Sequence, residues 1–233
     1  MIKQHPNFEK LVHSFINHDD DWREVLLKPT YYESGWSAST DSYSLLWFKS
    51  PEYKNKEGVH QYVNGEGVNA EAILIDFEKF YSGVEKPIGK IMLSDIEEVI
   101  NNITMLPKYQ DKYKTCSECD GEGTIECDCC GHEKDCSECD GDGEVKCGED
   151  EDGTYRFPHD ECVKINNTHF GLNKMKELVE NLSLVDVKEL NVYTTGSYRG
   201  FFGIPDSEVF ILTMGITDGD GKEKIHNIEI KSL

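Results

Sequence analysis

The chain has 233 residues, enough for one or two domains with a sizeable core, and its 37% apolar and 10% aromatic content is that of a folded protein. The formal charge is −21. No stretch approaches the roughly 18 apolar residues of a membrane span, and the opening "MIKQHPNFEK" holds no apolar signal core. The expected place is therefore the cytoplasm, where thiols stay reduced and clustered cysteines read as metal ligands rather than disulfides.

In chain order, the first predicted element is a helix whose apolar stripe is Phe8, Leu11, Val12, Phe15 and Ile16, with Asn7 as its cap. Strands are predicted at "YSLLWF" (43–48) and "AILIDF" (72–77), separated by a long loop over 54–69. Ser94-Asp-Ile-Glu97 reads as a capping box opening a second helix with the stripe Ile96, Val99, Ile100 and Ile103. A third helix, within roughly 170–183, carries Met175, Leu178, Val179 and Leu182 and follows a strand at 162–166. The last strands are predicted at 187–195, 208–216 and 223–230. "TDGDG" (217–221) reads as the hairpin turn between the final two. The fold class is α+β, with antiparallel sheets, about three helices, and a scaffold (1–110 and 154–233) interrupted by a distinct insertion at 111–153.

That insertion holds eight of the nine cysteines. Between 116 and 153 fifteen acidic residues face only Lys134 and Lys146, a net of −13, so its field repels phosphates and attracts basic surfaces. Cys116/Cys119, Cys127/Cys130 and Cys136/Cys139 are three Cys-x-x-Cys pairs in 24 residues, followed by Cys147 and, further on, Cys162. With almost no apolar residue between them, such pairs need an ion to fold, and soft thiolates in fours select zinc ahead of an iron–sulfur cluster. Thiol exchange would instead need positive charge to depress a thiol pKa, and here the neighbours are acids.

The octets "CSECDGEG" (116–123) and "CSECDGDG" (136–143) resemble the cysteine-rich zinc domain of the DnaJ chaperone family, built on Cys-x-x-Cys-x-Gly-x-Gly repeats. "CDCCGHE" (127–133) keeps only the Cys pair and Gly131, and the fourth repeat starts at Cys147 without a second Cys. In that family the first repeat pairs with the fourth and the second with the third, which implies two zinc ions. One would sit on Cys116, Cys119, Cys147 and an outside ligand, with Cys162 preferred to His159, His132 or Asp150. The other would sit on Cys127, Cys130, Cys136 and Cys139, leaving Cys129 as a bystander. The resemblance is confined to 116–147; "His5-Pro6-Asn7" lies at the start of the first helix and does not make a J-domain.

The flanks have a resemblance of their own. "DDDWREVL" (19–26), Ser39-Thr40-Asp41 to Leu45, and the order strand, helix and four strands after 162 look like a bacterial DNA sliding-clamp domain. That resemblance implies oligomerisation and a grip on DNA through Lys3, Lys10, Lys174 and Lys176, although Glu97 and Glu98 occupy the middle helix. No phosphate-binding glycine loop, His-Glu-x-x-His or Gly-x-Ser-x-Gly occurs, and histidines such as His60 and His169 are scattered. The expected function is thus non-catalytic: a zinc-binding interaction or adaptor protein whose acidic hairpin contacts a protein partner with a basic surface. The alternatives are a clamp-like replication accessory protein, with nucleic acid as a partner only in that case, and a holdase or thiol-disulfide chaperone.

Overall fold

The computed structural model describes residues 2–16, 24–62, 86–127, 129–193, 199–216 and 224–233. The chain divides into two compact units: Met1–Ile103 with His159–Leu233, and Thr104–Pro158. The fold is α+β.

The first unit opens with α1 (Phe8–Ser14) and the single turn α2 (Glu24–Leu27), followed by β1 (Thr30–Tyr31), β2 (Trp36–Thr40), β3 (Ser44–Lys49) and β4 (His60–Gln61). Then β5 (Gly89–Met92) runs straight into α3 (Leu93–Asn102). The second unit holds β6 (Leu106–Thr115), β7 (Thr124–Glu126), β8 (Glu133–Asp135) and β9 (Glu144–Arg156). The chain returns to the first unit with β10 (Glu161–Ile165), β11 (Thr168–Gly171) and α4 (Leu172–Ser183), and closes with β12 (Glu189–Tyr193), β13 (Arg199–Gly203), β14 (Val209–Met214) and β15 (Lys224–Ile228).

An eight-stranded sheet in the order β4-β1-β2-β3-β14-β13-β12-β5 forms the body of the first unit. Its centre is buried on both faces, as the unbroken apolar runs of β3 and β14 require. On one face Trp47 and Leu45 join Tyr32, Ala38, Tyr62, Phe201 and Phe210 in an aromatic cluster. On the other, Phe48 meets Phe8 of α1 edge-on at 5.3 Å, and Tyr53 at 5.2 Å. The three predicted apolar stripes are the buried faces of α1, α3 and α4. The β2–β3 turn is closed by Asp41, whose Oδ1 accepts the N–H groups of Tyr43 (2.8 Å) and Ser44 (2.6 Å).

Several expectations are corrected. The capping box does not form: α3 begins at Leu93, and Ser94 Oγ lies 3.4 Å from Asp95 Oδ1 instead of on a backbone N–H. Asn7 sits at the helix start, but its Nδ2 donates to Leu184 O across the fold (3.0 Å) rather than to its own helix. His60–Gln61, inside the expected loop, pairs parallel with β1. The last two strands are not a hairpin. β14 lies between β13 and β3, whereas β15 pairs parallel with β10 in a separate sheet, β11-β10-β15. The expected strand 72–77 and turn 217–221 lie outside the described residues.

Candidate metal centre

The second unit is built on a two-stranded ribbon in which β6 pairs antiparallel with β9 from Leu106↔Arg156 to Thr115↔Glu144. Nearly every side chain on it is exposed. Backbone bonds and cross-strand charge pairs hold it: Lys112 Nζ–Asp150 at 2.9 Å and Lys146 Nζ–Asp111 at 2.6 Å, with Glu149 of β9 itself 3.0 Å from the same Nζ. These contacts add to whatever an ion at the thiols contributes. Exposed pairs of this kind contribute little each, so the ribbon depends on what closes its far end.

At that end the two octets meet as near-identical halves. Cys116 N–H donates to Gly143 O, and Cys136 N–H to Gly123 O, both at 2.8 Å. Within each half the same bonds recur: Gly121 N–H to Cys116 O (3.1 Å) and Gly141 N–H to Cys136 O (3.2 Å), then Glu122 N–H to Cys119 O and Asp142 N–H to Cys139 O, both 2.9 Å. Asp120 and Gly121, and likewise Asp140 and Gly141, take positive φ to make these turns. Gly123 and Gly143 also have positive φ, and a Cβ on either would strike the carbonyl oxygen of Gly141 or Gly121 opposite. The repeated Gly-x-Gly is thus required twice, for the turn and for the contact between halves.

This arrangement buries four thiols together, Cys116, Cys119, Cys136 and Cys139, with Ile125 and Val145 packed against them. The sulfurs all lie within 4.8 Å of one another; Cys116–Cys136 is 3.8 Å and Cys119–Cys139 is 3.7 Å. A tetrahedral ion with metal–sulfur bonds of ~2.3 Å has edges of about 3.8 Å. The donors therefore fit one tetrahedral ion. Gly123 and Gly143 N–H groups each point at a sulfur, of Cys119 and Cys139, at 3.3 Å, as donors to thiolates do. An iron–sulfur cube, which needs its cysteine sulfurs spread around the outside, does not fit between atoms this close.

The protonation pattern agrees. Burial raises the Cys119 thiol, but the N–H groups of Gly123 and Gly121 and the Cys139 and Cys116 thiols outweigh it, bringing the value down to about 7. Burial pushes Cys139 up to about 12 and also raises Cys116, each with neighbouring thiols adding to the rise. Four buried sulfurs cannot all ionise together unless a cation shares the space.

The grouping differs from the one implied by the DnaJ resemblance. The first octet meets the third repeat, not the fourth, because these two alone carry the complete Gly-x-Gly that lets their backbones approach. Cys127 and Cys130 do not join Cys136 and Cys139; they cluster with Cys129, the expected bystander, in the turn between β7 and β8. Cys147 is exposed at a bulge of β9, its Sγ donating to Lys112 O at 3.4 Å. Cys162 is fully buried in β10 of the first unit, opposite Gly171 and Ile225. Neither belongs to a ligand cluster among the described residues. His132 lies in the turn between β7 and β8, where its carbonyl accepts the Cys127 N–H, His159 falls in the first unit, and Asp150 is paired with Lys112. Two cysteine clusters, of four and of three, can thus hold metal ions.

Of the four lysines considered for a grip on DNA, three pair with acids, and Lys10 is exposed on α1. Lys174 pairs with Asp41 (2.9 Å) and Glu177 (2.7 Å), Lys176 with Glu180 (3.8 Å), and Lys3 with Glu208 (3.8 Å). Helix α3 carries Asp95, Glu97 and Glu98 and no base. No described helix is long and apolar enough to cross a membrane.

No protein-family model and no curated protein matches the chain. Among solved structures it is similar to a protein of Eubacterium rectale ATCC 33656 assigned as a DNA polymerase III beta subunit. The identity is 12% and the TM-score 0.40, over 93% of this chain and 62% of that one. It is similar also to the DNA polymerase III subunit beta of Pseudomonas aeruginosa, at 10% identity and a TM-score of 0.37, over 90% and 64%. The chain spans less than two thirds of either protein. Scores this low carry no argument about function.

Proposed function

We propose that this is a non-catalytic zinc protein that uses its second unit as a docking arm for a protein partner with a basic surface. The observation that carries this reading is the four-thiol cluster at the end of a ribbon whose side chains are almost all exposed. A segment that buries so little of itself gains no core from being ordered; its surface is what the ion holds in place. Four protein sulfurs leave zinc no open position for a substrate, which is the mark of a structural site.

The surface so presented is acidic and aromatic. From Thr104 to Pro158 sixteen acidic residues face six basic ones. By the strand register Tyr109, Asp111 and Tyr113 of β6 share a face with Glu151, Glu149 and Lys146 of β9. Tyr109, Tyr113 and Tyr155 are more than half exposed, at 56%, 54% and 60%. Tyrosines set among carboxylates suit the lysine and arginine side chains of a partner, through ring faces and charge together. The paired lysines and the acidic α3 give nucleic acid no comparable footing.

The test is capture of protein partners by the full chain, compared with a Tyr109→Ala/Tyr113→Ala variant whose zinc content is verified. We expect capture by the parent to fall with rising salt and to be lost in the variant. Capture that is unchanged in the zinc-loaded variant would refute the docking face.

A further inference from the structure

We propose that the first unit carries a binding site for a guanidinium group, in a cleft where β12 and the β13–β14 turn meet Lys3. The site does not depend on the docking role of the ribbon. The cleft has a volume of about 460 Å³, a size usual for small-ligand sites, and its lining includes Lys3, Asn191, Tyr193, Ile204, Asp206 and Glu208. Sheet register brings these residues together. Asn191 pairs with Gly203 and Tyr193 with Phe201, so Asn191 and Tyr193 stand on one face of β12, beside a residue without a side chain. A Cβ on Gly203 would come within 2.9 Å of the Tyr193 ring, so the glycine is what lets the ring lie there. The turn is held by Ile204 N–H on Val209 O (2.9 Å) and Ser207 Oγ on Ile204 O (2.7 Å), with Asp206 at φ +53°.

Two groups in the cleft lack partners. The Asn191 side-chain oxygen is buried and accepts no hydrogen bond among the described residues. An orphaned acceptor of that kind is costly, and a donor brought into the cleft would relieve it. The Asp206 side chain is exposed and makes no ion pair or hydrogen bond among the described residues. The other charges are already met. Lys3 Nζ donates to Lys49 O (2.6 Å), and Glu208 lies 3.8 Å from Lys3 Nζ and 3.3 Å from Lys49 Nζ. An acceptor in want of a donor, an unpaired carboxylate and an aromatic ring beside buried Ile204 describe one class of ligand. Guanidinium is a planar cation with five N–H donors, and its face stacks on aromatic rings. An ammonium has the charge without the plane, and an anion would meet Asp206 and Glu208.

The experiment titrates the full, zinc-loaded chain with N-acetyl-arginine amide and follows the backbone and Asn191 side-chain amide resonances by NMR. We expect saturable shifts at 191–193 and 203–208, and none from N-acetyl-citrulline amide, the uncharged analogue. Asp206→Asn should weaken binding by about tenfold or more, since a charge-assisted hydrogen bond is lost. Asparagine tolerates the same positive φ, so the turn is kept. Asn191→Leu should weaken binding without lowering thermal stability, because the orphaned acceptor goes with the ligand contact. Free arginine, run alongside, separates the two sources of the group: tighter binding than the capped form assigns the site to the amino acid, and weaker binding to an arginine side chain of a protein. The proposal fails if no saturable shift appears in these segments, if the citrulline compound binds as well, or if Asp206→Asn binds as the parent does.

Discussion

Gly123 and Gly143 each stand where the opposite half's backbone leaves no room for a side chain, in a conformation that already disfavours one. The left-handed backbone alone costs a non-glycine residue roughly 1–3 kcal/mol. Gly123→Ala should therefore weaken zinc binding by about tenfold or more, measured by competition with a chromophoric chelator. At the ligands themselves, Cys136→Ser should abolish zinc at the base, while Cys147→Ser and Cys162→Ser should leave it bound; elemental analysis of the purified variants decides this. The residue types were legible in the sequence: Cys-x-x-Cys announces a metal, and the glycines announce a turn. Which pairs meet was not. Spacing along the chain does not reveal that Gly-x-Gly serves as a contact between halves, and only the two complete octets can make it. Cys129, read as a bystander, converges with its neighbours through the hydrogen bonds of one tight turn, which no pattern of residue types discloses.

Elements follow their apolar periodicity closely where burial is one-sided, which is why the stripes of α1, α3 and α4 could be read directly. Pairing partners could not. β14 and β15 are neighbours in sequence with a turn-like segment between them, yet β15 goes to β10, more than sixty residues earlier. A charged cluster marks that junction: Glu161 Oε2 lies 2.7 Å from His226 Nε2 and 3.1 Å from Lys224 Nζ. The hydrogen bond from His226 chiefly lowers the Glu161 carboxyl, burial opposes it, and Lys224 adds to the lowering. Because the folded value is depressed, its stabilisation is present above the ordinary carboxylate range. It drains away as pH falls through the lowered value. Glu161→Gln should thus cost about 1 kcal/mol near neutral pH. The difference from the parent should close in acid, as followed by urea unfolding across pH. The ribbon strands β6 and β9 escaped a sequence reading for another reason: with both faces wet they have no hydrophobic alternation to display.

For the molecule as a whole, the two units rest on different forces. The first holds its sheet between an aromatic cluster on one face and Phe8, Phe48 and Tyr53 on the other, an interior that needs no ion. The second has the four thiols where a core would be. Chelation should therefore collapse amide-exchange protection over 104–158 and leave that of β3, β13 and β14 in place. Acid should do the same, since ligation requires thiolates and weakens as protons compete for them. If β3, β13 and β14 lose protection together with 104–158, the ion is holding the whole chain and the division fails.

The bonds that close the base lie within the two octets and between them, and the twelve residues at 124–135 span the gap from one to the other. A spanning segment of that kind is under little obligation as to length. Doubling a flexible loop adds only about 0.6 kcal/mol to the entropy of closing it. The turn between β7 and β8 is thus a natural graft site: a foreign peptide could replace 127–132, and β7, β8 and the thiol clasp beneath, with Ile125 still packed on it, would present that peptide as a constrained loop.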